Sequence, residues 1–386
     1  MRSPKGAYAV LFRLSRLLVL VALVAFVAAG CGTGAGTPKE GAGEGKTNSA
    51  EATPEAAAEP IRAVATIYPL YDLVKQIGGD GVLVEQLVPP GAAPHDFEPT
   101  PGDIRKIADA DVYFYVGAGF ERWLDKVRAN VDPAKTKLVD VSVGLDLLPG
   151  HAHEDGDELD HGHGDEADAA QGSGPAPGDA HGMAAPGQAS ETTQAAGHDQ
   201  SDETPAAAPS YDPHIWLSIA NLKQIGRTIA AALADLRPED KATFEANYDA
   251  LARTLDRIDQ AFRDGLKAAK TRQFVVSHQA FGYLARDYGL EQISISGLMN
   301  EDPTPKELQA IIDEIKAKDI RYIGFESLTE NKIARQVQKE TQARAVELST
   351  LENVTKEQLA RGVHLQDLIK QNFDTLLVML GAREGR

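Results

Sequence analysis

The sequence predicts an α/β protein of two lobes, each a parallel sheet with helices on its faces, joined by one long helix. Three observations carry this reading. From Ile61 onward short apolar runs alternate with helical periodicity, the pattern of βα units that build a parallel sheet. The alternation pauses and restarts near residue 272, so the second half repeats the first. Between the halves Phe244, Tyr248, Leu251, Leu255, Ile258, Phe262 and Leu266 recur at intervals of three and four, one apolar stripe on a single helix.

Along the chain, residues 63–70 (AVATIYPL) read as a strand entering a helix, and 82–90 (VLVEQLVPP) as a strand ending in a Pro-Pro-Gly loop. Residues 100–110 open with helix-start chemistry, Thr100 before Pro101. Residues 111–117 and 137–145 are further strands, and helical periodicity returns from Trp216 to about Leu236. Pro238 and Glu239 suit the first turn of the long helix, which by its rise per residue is about 40–45 Å long. Strands follow at 272–278, 291–298, 320–327 and 344–350, with helices after the first, from Pro305 to Lys318 and from Asn331 to Gln342, and a long helix closes the chain.

The flanking segments have other compositions. Arg2, Lys5, Arg13 and Arg16 precede an apolar run from Leu17 to Ala29, a signal-peptide profile too short for a comfortable membrane span. Ala28-Ala29-Gly30-Cys31 resembles a bacterial lipobox, so Cys31 is expected to carry a lipid anchor to the membrane; the alternative is ordinary cleavage with Cys31 incidental. It is the single cysteine of the chain, which excludes an intrachain disulfide and a cysteine-based metal site. Residues 1–30 are thus a signal peptide and 31–60, rich in Gly, Ala, Pro and Glu, a disordered tether. An N-terminal lobe at 61–237, a linker helix at 238–269 and a C-terminal lobe at 270–386 complete the expected organisation. Without the tether and the histidine-rich segment about 265 residues remain, two lobes of ordinary size.

The net charge of −18 is mostly local, because residues 151–210 hold thirteen Asp and Glu with no Lys or Arg, and without them −5 remains. No basic patch is visible, which argues against a nucleic-acid partner. The same stretch holds six of the ten histidines, His151, His153, His161, His163, His181 and His198. Imidazoles among carboxylates hold divalent cations weakly, so the segment reads as an auxiliary metal collector or as a solvated acidic linker.

Histidine is the commonest protein metal ligand, and three others stand alone beside apolar segments. His95 lies in Pro94-His95-Asp96-Phe97-Glu98-Pro99-Thr100-Pro101, His214 in Asp212-Pro213-His214-Ile215-Trp216-Leu217, and His278 in Ser277-His278-Gln279-Ala280-Phe281-Gly282-Tyr283-Leu284. All fall at strand ends or helix starts, where open α/β sheets bind ligands, although a lone histidine there also serves as a cap. His364, in the closing helical pattern, reads as an ordinary helix residue.

The three motifs, in this order, resemble the metal-binding lipoproteins of bacterial zinc and manganese ABC importers, over residues 61 to 386. The resemblance implies two βα lobes joined by a rigid helix, with metal in the interlobe cleft held by His95, His214 and His278. It implies a non-enzymatic, monomeric, extracytoplasmic protein that captures Zn²⁺ and passes it to an ABC permease. Where many members carry a fourth ligand, an aspartate, this chain has Ser349, with Glu347 and Glu352 nearby in sequence and Glu326 at a further matching position. Three imidazoles with an open place suit Zn²⁺, whereas Mn²⁺ prefers more oxygen. Manganese or iron uptake, or adhesion, is the alternative within the family; a zinc-dependent hydrolase is the alternative of another class, although no His-Glu-x-x-His motif is present.

Overall fold

The computed structural model describes residues 59–150, 211–326 and 331–384. The signal segment, nearly all of the tether, Cys31 and the six clustered histidines lie outside the described residues. Strands β1 (Ile61–Ala65), β2 (Val82–Gln86), β3 (Val112–Tyr115) and β4 (Lys137–Asp140) form one sheet in the order β2-β1-β3-β4, all parallel. Strands β5 (Gln273–His278), β6 (Glu291–Ser296), β7 (Tyr322–Phe325) and β8 (Arg344–Glu347) form a second in the order β6-β5-β7-β8, again all parallel. The two lobes thus share one strand order, as the repeated pattern of the sequence predicts. Central strands explain why these runs are continuously apolar: β3, VYFY, is buried at every position, covered on both faces as parallel sheets are.

The helices of the first lobe are α1 (Tyr68–Gly78), α2 (Pro101–Ala108), α3 (Leu124–Arg128) and α4 (Ile219–Leu236). The connecting helix is α5 (Lys241–Leu266), and α6 (Gly282–Tyr288), α7 (Pro305–Ala317), α8 (Lys332–Thr341), α9 (Lys356–Ala360) and α10 (Leu365–Met379) follow. After the second strand of each lobe the same local chemistry starts a helix. Thr100 caps α2 in a reciprocal box with Asp103, and Thr304 caps α7 in a box with Glu307, each followed by proline.

Several elements differ from expectation. The strand expected at 137–145 stops at Asp140, whose Oδ1 accepts from Ser142 N and Oγ and turns the chain. The closing helix is two, α9 and α10, separated at Gly362, where φ is +65°. Pro238–Asp240 is a 3₁₀ turn ahead of α5.

The 26 residues of α5 span about 39 Å, and the seven residues of the predicted stripe are its buried face. It packs on α1, α4 and α10, and near its end Phe262 and Phe373 stack with centroids 3.9 Å apart. Gly265 permits this approach, since a Cβ there would stand 2.7 Å from Leu377 Cδ1. One continuous apolar core consequently runs from β1 and α1 across α5 to β5 and α10.

Candidate metal centre

Three loops and the carboxyl end of one strand converge between the lobes. His95 lies on the loop after β2, His214 just ahead of a 3₁₀ turn (Ile215–Leu217) that leads into α4, His278 at the last position of β5, and Glu352 on the loop after β8. One donor atom from each lies within 4.8 Å of all the others. The tightest part is a triangle: His95 Nε2 is 3.3 Å from both His214 Nε2 and Glu352 Oε1, and His214 Nε2 is 3.5 Å from that same oxygen. Donors at 2.0–2.1 Å around a tetrahedral Zn²⁺ stand about 3.3–3.4 Å apart, so these spacings fit such an ion. The ring of His278 lies 4.9 Å from that of His214 and 5.3 Å from that of His95, centroid to centroid.

Two of the imidazoles are oriented from behind by carboxylates. Asp212 Oδ1 lies 2.8 Å from His214 Nδ1 and also accepts from the His214 backbone N–H. Glu326 Oε1 lies 2.6 Å from His278 Nδ1, while His278 Nε2 is 3.0 Å from Leu298 O. Such partners set the ring orientation and the basicity of a metal-binding histidine. His95 differs: its Nδ1 is buried without a hydrogen-bond partner among the described residues, and its ring packs against Phe120.

Burial shapes the charges of the site. His214 is fully buried and Glu352 is 4 % exposed. Burial draws the His214 imidazole down, but Asp212 and Glu352 outweigh it and raise its pKa to about 9. Burial likewise pushes the Glu352 carboxyl up, and His95 and His214 overcome that to hold it well below the usual carboxylate range. His214 and Glu352 are thus a buried cation–anion pair, and a metal ion bound there would displace the His214 proton.

The structure brings His95, His214 and His278 together, and the carboxylate beside them is Glu352 rather than Ser349. Ser349 instead anchors a turn: its N–H donates to Asn372 Oδ1, Asn372 Nδ2 donates to its carbonyl, and its Oγ accepts from Leu351 N–H. Glu347 is an exposed residue at the end of β8, and Glu326 stands behind His278. His364 precedes α10 and bonds through Nδ1 to Asp72 Oδ1 at 3.0 Å. The position matched to the family's aspartate, Ser349, does not supply the acid because β8 ends at Glu347 and the chain turns at Leu351, whose φ of +62° leucine gives no reason to expect. The orienting role of Asp212, two residues before His214, was open to the spacing alone.

The family model described as zinc-uptake complex component A, periplasmic, matches residues 63–378. The zinc-binding lipoprotein AdcA of Streptococcus pneumoniae serotype 4 is 32% identical over 317 residues, 82% of this chain and 55% of that protein; the chain thus spans about half the length of the AdcA relatives it matches. The high-affinity zinc uptake system protein ZnuA of Bacillus subtilis is 29% identical over 331 residues, 85% of this chain and 90% of that protein. The crystal structure of the Zn(II)-bound ZnuA-like domain of Streptococcus pneumoniae AdcA superposes with a TM-score of 0.62 at 28% identity, covering 83% of this chain and 99% of that domain. With a match that runs through both sheets and all four residues of the buried cluster, the chain belongs to the zinc-uptake complex component A (ZnuA) family.

Proposed function

We propose that this chain captures Zn²⁺ outside the cytoplasm through His95, His214, His278 and Glu352 and delivers it to an ABC permease, held at the membrane by a lipid on Cys31. The observation that carries the reading is the set of three imidazoles and one carboxylate within 4.8 Å, in which the His95–His214–Glu352 triangle has edges of 3.3–3.5 Å, close to those of a tetrahedral zinc site. Three nitrogens with a single carboxylate favour Zn²⁺ over Mn²⁺, which calls for more oxygen donors. The family match and the zinc-binding relatives support the same cargo, and the family together with the lipobox-like run before Cys31 supports the permease and the anchor.

Glu352 also weighs against the hydrolase alternative. A catalytic zinc keeps a position open for water, whereas a carboxylate in the fourth place closes the site, as suits a carrier. Zinc titration of the full chain against a competing chelator tests the assignment. His95→Ala, His214→Ala, His278→Ala and Glu352→Gln should each lower affinity more than about 100-fold, and Glu326→Gln, acting through His278, about 10–100-fold. Wild-type affinity in all four ligand variants would sink the proposal.

A further inference from the structure

The carboxylate of the cluster belongs to the chain of the second lobe, yet the segment that carries it is bonded to the first. Trp216 Nε1 donates to Thr350 O at 2.7 Å, and Tyr68 N–H donates to Glu352 O at 3.2 Å. The next residue, Asn353, is 5 % exposed and uses every face of its carboxamide. Its Nδ2 donates to Pro89 O at 2.7 Å and to Ala92 O at 2.9 Å, and its Oδ1 accepts from Gln86 Nε2 and from Val354 N–H, both at 2.9 Å. Gln86 ends β2, and residues 87–94 are the loop that leads to His95. One side chain thus ties the carrier segment of Glu352 to the loop that presents His95.

His95 is the imidazole most in need of that support. Asp212 and Glu326 fix the rings of His214 and His278, whereas His95 Nδ1 has no hydrogen-bond partner among the described residues. Its position is set by Phe120 and by the course of its own loop. We infer that Asn353 is a positioning residue for zinc: it pins the His95 loop to the Glu352 segment, preforms the His95–Glu352 edge and slows release of the ion through His95. The inference rests on the zinc-binding reading above and names which of the four ligands yields first.

The experiment is zinc release from the loaded full chain into excess fluorescent chelator, followed by stopped flow. Asn353→Ala and the nearly isosteric Asn353→Asp, which cannot donate to Pro89 O or Ala92 O, should both speed release by about tenfold or more. Asn372→Ala serves as the comparison, since it removes a similarly buried carboxamide that clamps Ser349 on the second lobe. It should lower thermal stability comparably and leave release near the wild-type rate. In a His95→Ala background, Asn353→Ala should add no further acceleration, because the two act as one unit.

Equal acceleration by Asn372→Ala, or an undiminished effect of Asn353→Ala without His95, would make Asn353 merely structural and overturn the inference. Zinc-loaded variants that release at the wild-type rate would do the same while leaving the zinc reading intact. A wild-type chain that takes up no zinc would instead remove the reading on which both stand.

Discussion

Glu121 shows how one side chain near the cluster makes the fold sensitive to pH. It follows Phe120, the ring that packs on His95, and its two oxygens accept from Val116 and Gly117 N–H at 2.8 and 3.0 Å. Burial nonetheless dominates and raises its pKa from 4.5 to about 7, so the folded state favours the proton. The stability from this group is full below about pH 4.5 and is lost as pH rises through about 7, an effect of at most roughly 3 kcal/mol. Urea unfolding of the metal-free protein at pH 5 and pH 8 should show a larger loss in wild type than in Glu121→Gln; equal losses would reject the assignment. Residues of this kind are hard to read in a sequence, because an acid nine residues past the start of β3 carries no sign of its burial. The three histidines were legible since each sits in a compact motif beside an apolar run. Glu352 is visible in the sequence only as an acid near Ser349, and Asn353 not at all, since their position depends on where β8 stops and on a left-handed leucine, both products of tertiary structure.

At the scale of the element, α5 is the part of the fold best written in the sequence and the part on which both lobes depend. Its seven-residue stripe is read directly from a spacing of three and four, and every one of those residues is buried. Sheet order is less legible: periodicity announces strands and helices, but only packing decides that each lobe runs 2-1-3-4. Lengths err wherever a side chain ends an element, as Asp140 ends β4. Leu255, 2 % exposed at the middle of α5, tests the shared core. Leu255→Ala should cost about 2–5 kcal/mol, seen as a shift of the denaturant midpoint. Since the core continues through α5 into both lobes, unfolding should remain a single transition by fluorescence and circular dichroism. Two resolved transitions in this variant would show that the lobes stand independently.

For the whole molecule, the continuous core means that swinging one lobe away from the other would expose apolar surface along α1, α5 and α10. Moving the His95 loop would expose less, chiefly Leu87 and Val88 at its start, so on the inference above the loop, rather than a lobe, is the route for an ion. The same reasoning separates the site from the histidine-rich segment. Pro149 and Tyr211, which flank it in the sequence, pair as an antiparallel bridge, which places their Cα atoms about 4.5–5.5 Å apart. Just inside, Tyr283 Oη accepts from Leu148 N–H at 3.1 Å and donates to Asp212 O at 2.7 Å. The stem that carries Asp212 toward His214 is therefore held by α6 whatever lies beyond it. Replacing residues 151–210 with a short glycine-rich turn removes thirteen acids and six histidines but no group of the cluster. Calorimetric titration with zinc should then keep one tight site, its affinity within about tenfold of wild type by the scale of indirect effects on metal sites. The weaker additional binding should disappear. If the tight site vanished with the segment, the division between a self-sufficient centre and an auxiliary collector would be wrong.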